Sequence, residues 1–363
     1  MPRRLVLPAL ALTAAVAACA TLPSAGPDDA VLPNAEAGPF REIEQRELGA
    51  SRAAPLVIDD DEGFTRDPSV VDLDGDPATL AAAGYFAVTL HPDEGPADPA
   101  ALPGAIVRHD TEDGRSFARN AAVVLEPEAA WEGGTVGEPS AIRSGSEIWL
   151  YYAAAGGVGL ARSPDGLAFT REPAPVLAPD ASGWEQGAAP GSPGITKMPD
   201  GTLRMFYEVA LAGGASAIGE ARSADGLTWE RVGYGPVLAP AAPAGEGEDA
   251  PYDDAGVGDP APVLATSATG RVVLRVYYAA RSSAGRASIG LAARLADAEG
   301  PLERATAPVF GGSASSAPAA PWVVVHPGFS LLFATQPADA EPAYPTVIAG
   351  VAPATVELPP RAD

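Results

Sequence analysis

"GLARSPDGLAFTR" spans Gly159–Arg171 and "GEARSADGLTWER" spans Gly219–Arg231. Each opens on glycine, passes through an ARS run and an Asp-Gly dipeptide, and closes on an aromatic residue with arginine two places later. Their surroundings agree too. EIWLYYAAA (Glu147–Ala155) precedes the first and TLRMFYEVAL (Thr202–Leu211) the second, while EPAPVLAP (Glu172–Pro179) and GYGPVLAP (Gly233–Pro240) follow. Runs rich in aromatic and β-branched residues read as strands. Asp165-Gly166 and Asp225-Gly226 suit tight turns, because glycine takes positive φ without steric cost. Ser163 and Ser223 can bond the turn backbone. Phe169 and Trp229 begin the next strand, where a ring can pack on a neighbouring unit. The segments therefore read as structural: an inner strand, an aromatic strand, an ARS strand, a turn, and a last strand ending in VLAP.

The unit recurs more weakly. Gly104–Pro127 repeats the last two strands with a turn at Asp113-Gly114, and Ile289–Phe310 repeats them with a turn near Gly300. GYFAVTL (Gly84–Leu90), RVVLRVYYAA (Arg271–Ala280) and GFSLLFAT (Gly328–Thr335) are the matching aromatic strands. Units start near residues 67, 138, 192, 259 and 321. A four-stranded unit repeated around an axis is a propeller blade, so the expected fold is an all-β, five-bladed β-propeller. The fifth unit lacks its last strand. SRAAPLVID (Ser51–Asp59) resembles the blade-ending segments, so an N-terminal strand there is expected to complete blade 5 and close the ring. A six-bladed ring and a β-sandwich are the competitors, and the sandwich does not explain a five-fold recurrence.

Composition agrees. The 363 residues include 40 Gly and 39 Pro, which suits short strands and tight turns, and only 6% aromatic residues. Pro2-Arg3-Arg4 and the apolar run Leu5–Val16 read as an export signal too short to span a bilayer. It ends in Val16-Ala17-Ala18-Cys19, which resembles a bacterial lipobox, and Cys19 is the chain's only cysteine. The expected organisation is a signal peptide over 1–18, a flexible tether over 19–40 from a lipid anchor at Cys19, and one propeller over 41–363. Ala20 after the cysteine points to the outer membrane of the cell envelope. A formal net charge of −24 disfavours nucleic acid as a partner. A monomer is expected.

In a propeller the inner strands line the axis, so their first residues converge on one funnel. Those residues are Asp67, Glu138, Ser192, Asp259 and Ala320, each directly before proline. Carboxylates converging on one mouth raise each other's pKa, an arrangement typical of functional sites. The "DPSVV" start, the "YYAA" strands and the "ARSxDGLxW" turns are similar to those of the five-bladed furanosidase superfamily: glycoside hydrolase family 43 and its invertase- and levansucrase-like relatives. That resemblance implies a carboxylate pair flanking a glycosidic bond, with inversion through an activated water. By position it makes Asp67 the general base and Glu138 the counterpart of an orienting aspartate. It places a general-acid glutamate on blade 3, where this chain instead has Gly191-Ser192.

The second strand of each blade returns to the level of the funnel. Glu208, in MFYEVA, stands there where blades 2 and 4 have Ala153 and Ala279, which makes it the candidate displaced acid; a solvated strand-end glutamate is the bland alternative. Glu185 is a second candidate. Ser192 and Asp259, with Trp131 and Trp184, are candidate sugar-binding residues, although both tryptophans also suit packing between blades. His91, His109 and His326 show no metal-ligand spacing, and neither metal nor cofactor is expected. The expected partner is carbohydrate, handled by a glycosidase-like enzyme or by a non-catalytic glycan-binding or scaffold propeller that has lost its acid.

Overall fold

A computed structural model describes residues 37–43, 47, 63–73, 80–90, 104–117, 122–243, 245, 250–267, 270–311, 317–336 and 346–358. They form five antiparallel sheets arranged as a five-bladed β-propeller. Blade 1 comprises Gly63–Asp72, Ala82–Leu90, Gly104–Thr111 and Ala122–Leu125. Blade 2 comprises Gly137–Ser144, Glu147–Ala154, Gly157–Ser163 and Thr170–Arg171, and blade 3 comprises Gly191–Lys197, Leu203–Ala210, Ser216–Ser223 and Glu230–Arg231. Blade 4 comprises Gly256–Thr266, Val272–Arg281, Ala287–Leu295 and Glu303–Arg304, with Phe310–Gly311 added to its third strand. Blade 5 takes Ala319–His326, Phe329–Gln336 and Thr346–Ala352 from the C-terminal part of the chain and its fourth strand, Arg41–Glu42, from the N-terminal part.

Ring closure by an N-terminal strand is therefore observed, at Arg41–Glu42. Arg41 pairs with Val351 and Glu42 with Gly350, whereas residues 51–59 lie outside the described residues, as do the expected signal peptide and Cys19. The C-terminal end of the expected tether is also docked: the Phe40 amide donates to Val309 (2.8 Å), and the Tyr277 hydroxyl donates to the Ala37 carbonyl (3.2 Å).

The doubled aromatics of the second strands explain how the ring packs. Successive strand residues face opposite sides of a sheet, so blades 1–4 each send one ring into the seam behind and one into the seam ahead, while blade 5 sends Phe333 into the 5/1 seam and Ala334 into the 4/5 seam. Tyr151 packs in the seam between blades 2 and 3, and Tyr152 in that between blades 1 and 2. Tyr277 and Tyr278 divide in the same way between the 4/5 and 3/4 seams. Each of the five seams carries its own apolar cluster, so the core is a ring of interfaces. The Asp-Gly turns are held as their residues require: Ser163 Oγ accepts from the Gly166 amide (2.9 Å) and Ser223 Oγ from that of Gly226 (2.8 Å). The preceding blade clasps each turn, with Tyr85 donating to the Gly166 carbonyl and Tyr151 to that of Gly226. Phe169 and Trp229 meet those same tyrosines edge-on, at ring separations of 5.9 and 5.8 Å.

Adjacent inner strands are stitched by side chains near the axis. Ser69 Oγ accepts from the Ala141 amide and Ser140 Oγ from the Ile195 amide. Blade 3 carries Gly194 at the position of these serines, and there the backbones meet directly: a Cβ on Gly194 would stand 2.0 Å from the Pro260 carbonyl oxygen. Gly194→Ala is expected to lower stability by about 1–3 kcal/mol through forced separation of blades 3 and 4. Urea denaturation checks this; an unchanged midpoint would show that the seam yields freely.

Candidate active site

All five inner strands carry the same irregularity. Register shifts fall at Arg66/Ser69, Gly137/Ser140, Gly191/Gly194, Gly258/Ala261 and Ala319/Trp322, each spanning the residue-proline step. Two residues of the inner strand oppose one of its partner, which is a β-bulge. Asp67, Glu138, Ser192, Asp259 and Ala320 accordingly adopt left-handed φ of 51°, 48°, 41°, 46° and 45°. Such a conformation in a non-glycine residue costs about 1–3 kcal/mol. The bulge turns these residues toward the axis, where with their prolines and Trp322 they line a small axial pocket of about 30 Å³.

Hydrogen bonds across the seams carry that strain. The Ser192 amide donates to Glu138 Oε2 (2.5 Å), the Ala320 amide to Asp259 Oδ2 (3.0 Å), the Asp259 amide to Glu208 Oε2 (3.1 Å) and the Asp67 amide to Thr335 Oγ1 (2.8 Å). Each acceptor comes from the preceding blade. Glu138 and Asp259 reach from inner strands, whereas Glu208 and Thr335 reach from second strands, at register positions opposite Gly191 and Ala319. Asp259 is engaged on both oxygens, because the Ser192 hydroxyl donates to its Oδ1 at 2.8 Å. Ser192 thus ties Glu138 to Asp259.

Glu208 therefore does project toward the funnel. Together with Glu138, Ser192 and Asp259 it lines an off-axis cleft of about 460 Å³, within the size range of small-ligand sites. Asp67 stands on the axial side of the same ring, and its closest cation is Arg66, with Nε 3.5 Å from Oδ2. Burial, the main cause, pushes the Asp67 carboxyl up to about 7; the negative charges of Glu138 and Asp259 add to this and Arg66 opposes it. Burial and then Asp259 push Glu208 up to about 7, and the same two causes raise Glu138. Two carboxyls near neutrality, neither locked in an ion pair with a buried cation, can exchange protons with a bound molecule.

The other candidates lie elsewhere. Glu185 is 2% exposed and held by Arg231 (2.7 Å) and the Tyr207 hydroxyl (2.7 Å), so it serves the seam and not the funnel. Trp131 packs in the 1/2 seam, stacked on Tyr152, and Trp184 packs in the 2/3 seam. The tryptophan that does reach the axial pocket is Trp322, held by its indole N–H to the Val70 carbonyl (2.8 Å). Sequence reasoning did not single out Thr335, Ser216 or Arg281. Thr335 could have been found as the blade-5 counterpart of Glu208; Arg281, in the cleft wall, is signalled only by a charge ending the YYAA run. Among the described residues no group of His, Cys, Asp or Glu is arranged to hold a metal ion.

No family model and no curated protein matches the chain. Solved structures do match. A protein described as a glycoside hydrolase aligns with TM-score 0.60 and 15% identity, over 89% of this chain and 96% of its own. A thermostable family-43 glycoside hydrolase gives 0.56 and 18% over 79% and 89%, and the β-1,2-mannobiose phosphorylase from Listeria innocua gives 0.58 and 13% over 86% and 96%. The likeness is one of fold: this chain is built as these five-bladed propellers are.

Proposed function

We propose that the protein hydrolyses a glycosidic bond in the funnel, with Asp67 as general base and Glu208 as general acid. The observation that carries this reading is Glu208: a blade-3 carboxyl enters the cleft from the second strand, at the blade whose inner strand has Ser192 in place of an acid. The propeller glycoside hydrolases of similar fold support it. Asp67 takes a proton from water, and the water oxygen attacks the anomeric carbon. Glu208 gives its proton to the departing glycosidic oxygen, and the configuration inverts. Glu138 and Asp259 hold the bulges and Ser192 in place and contribute negative potential where positive charge develops.

The base must be deprotonated, so the rate rises as pH passes up through the Asp67 value of about 7. The acid must be protonated, so the rate falls as pH passes the Glu208 value of about 7. Because both groups interact with Asp259 and Glu138, the observed limbs belong to the cluster. A narrow bell centred near pH 7 is expected when purified protein is screened on aryl arabinofuranosides, xylosides and fructans; a flat profile, or turnover equal to that of Asp67→Asn, contradicts the assignment. The engagement of Ser192 with both Glu138 and Asp259 favours a second reading, a non-catalytic glycan-binding propeller. Glycan binding without any turnover would select it.

A further inference from the structure

The off-axis cleft that Glu208 lines carries one cation among its lining residues. Most described arginines lie within 4.0 Å of a carboxylate, even at the surface, as Arg222 does with Glu230. Arg281, at the end of the second strand of blade 4, lines the cleft and is exposed, and among the described residues no carboxylate pairs with it. In a chain of net charge −24 an unpaired guanidinium beside a cluster of carboxylates is unexpected.

Its position is built. Nη2 donates to Ser216 Oγ at 3.1 Å, and Ser216 is 2% exposed. The guanidinium lies over Gly256, where an added Cβ would stand 2.9 Å from Nη2 and 3.1 Å from Nε. Gly256 keeps an ordinary backbone conformation, so what its missing side chain provides is room for the guanidinium. The Ser216 hydroxyl also lies beside the Glu208 carboxyl and favours its charged form. Arg281, Ser216 and Glu208 thus stand in sequence along one wall of the cleft, with Ser216 between the guanidinium and the acid.

We propose that Arg281 is a specificity residue that binds the carboxylate of a uronic-acid unit in the glycan, in the subsite next to Glu208. Guanidinium and carboxylate match as planar partners able to form two parallel hydrogen bonds. A monoanion fits better than a phosphate: Glu138, Glu208 and Asp259 line the same cleft, and a group carrying nearly two negative charges meets about twice the repulsion. The proposal rests on the glycoside reading of the cleft for its ligand class, but it concerns binding and needs no turnover.

The test is calorimetric titration of the full chain at pH 7 with matched methyl glycosides: glucuronide against glucoside, galacturonide against galactoside, mannuronate against mannoside. At least one acidic member is expected to bind 10-fold or more tightly than its neutral partner, with the difference shrinking as salt rises. Arg281→Met is expected to erase that difference while neutral-sugar affinity and melting temperature stay unchanged. Arg281→Lys, which keeps the charge but not the fork, is expected to retain part of it. Equal affinity within every pair, or a preference for acid that survives Arg281→Met, overturns the proposal, as does displacement of the uronoside by inorganic phosphate at equal or lower concentration. Failure to hydrolyse any glycoside sinks the hydrolase reading without touching this one.

Discussion

Asp67→Asn should abolish hydrolysis, by about 10²–10⁴-fold in kcat, and leave the fold intact. The amide keeps the size of the side chain and cannot take a proton. It also removes a carboxylate that burial and its neighbours hold near 7. At pH 8 the native carboxylate is ionised in a site that disfavours its charge, so the variant should be at least as stable as the parent. The sign follows from linkage: a carboxyl whose pKa is raised on folding loses stabilisation as pH rises from its unfolded value, near 4, through its folded value, near 7. The paired measurement is kcat against urea midpoint at pH 8. A kcat loss with a lower midpoint would mean that Asp67 acts through the structure of the funnel. Unchanged kcat would remove it from the chemistry.

The second large effect concerns stability and lies outside the funnel. Glu132, Glu185 and Asp253 each precede a blade; each is buried, bonded to the second of the two adjacent aromatics of the next aromatic strand, a tyrosine in every case, and paired with the arginine of the short fourth strand. The acid, the tyrosine and the arginine of one blade are thereby clamped together: Glu185, Tyr207 and Arg231 in blade 3, for example. Glu185→Ala would leave Arg231, whose side chain is 25% exposed, without its bidentate partner, and the Tyr207 hydroxyl without an acceptor. Removing one member of a buried pair costs about 3–5 kcal/mol. Partial exposure of the arginine places the expected loss near the lower figure, about 3 kcal/mol. Arg222→Ala, which breaks only surface pairs with Glu230 and Glu299, should leave the midpoint where it is. If the two variants melt alike, the clamp is not what holds the blades.

The five-fold repeat was legible because blade packing is written in adjacent residues. Asp-Gly turns, the serine before them and paired aromatics on opposite sheet faces are local patterns, and all of them appear as expected. Glu208 was legible for a related reason: antiparallel register carries the end of the second strand back to the start of the first, and a charge there breaks an apolar run. Closure by Arg41–Glu42 was not legible because a two-residue strand has no periodicity, and its partner, Gly350–Val351, lies at the far end of the chain. Glu185 and the tryptophans were ambiguous because an acid or an aromatic before a blade can turn either way. The arginine two residues past each Asp-Gly aromatic was the overlooked signal, since an acid, a tyrosine and that arginine recur at matching places in blades 2 and 3. Arg281 has no counterpart in other blades, and only the cleft reveals its position.

In the proposed mechanism Glu208, from the second strand, does the work of the acid that the inner strand of blade 3 lacks. Leaving-group dependence tests it most directly. Compare Glu208→Gln and Asp67→Asn on one sugar carrying either a 2,4-dinitrophenyl group, which departs without protonation, or a methyl group, which does not. Glu208→Gln is expected to lose 10²-fold or more on the methyl glycoside and little on the dinitrophenyl one, while Asp67→Asn loses both. Equal losses on the two leaving groups in Glu208→Gln, or none on either, would contradict the assignment.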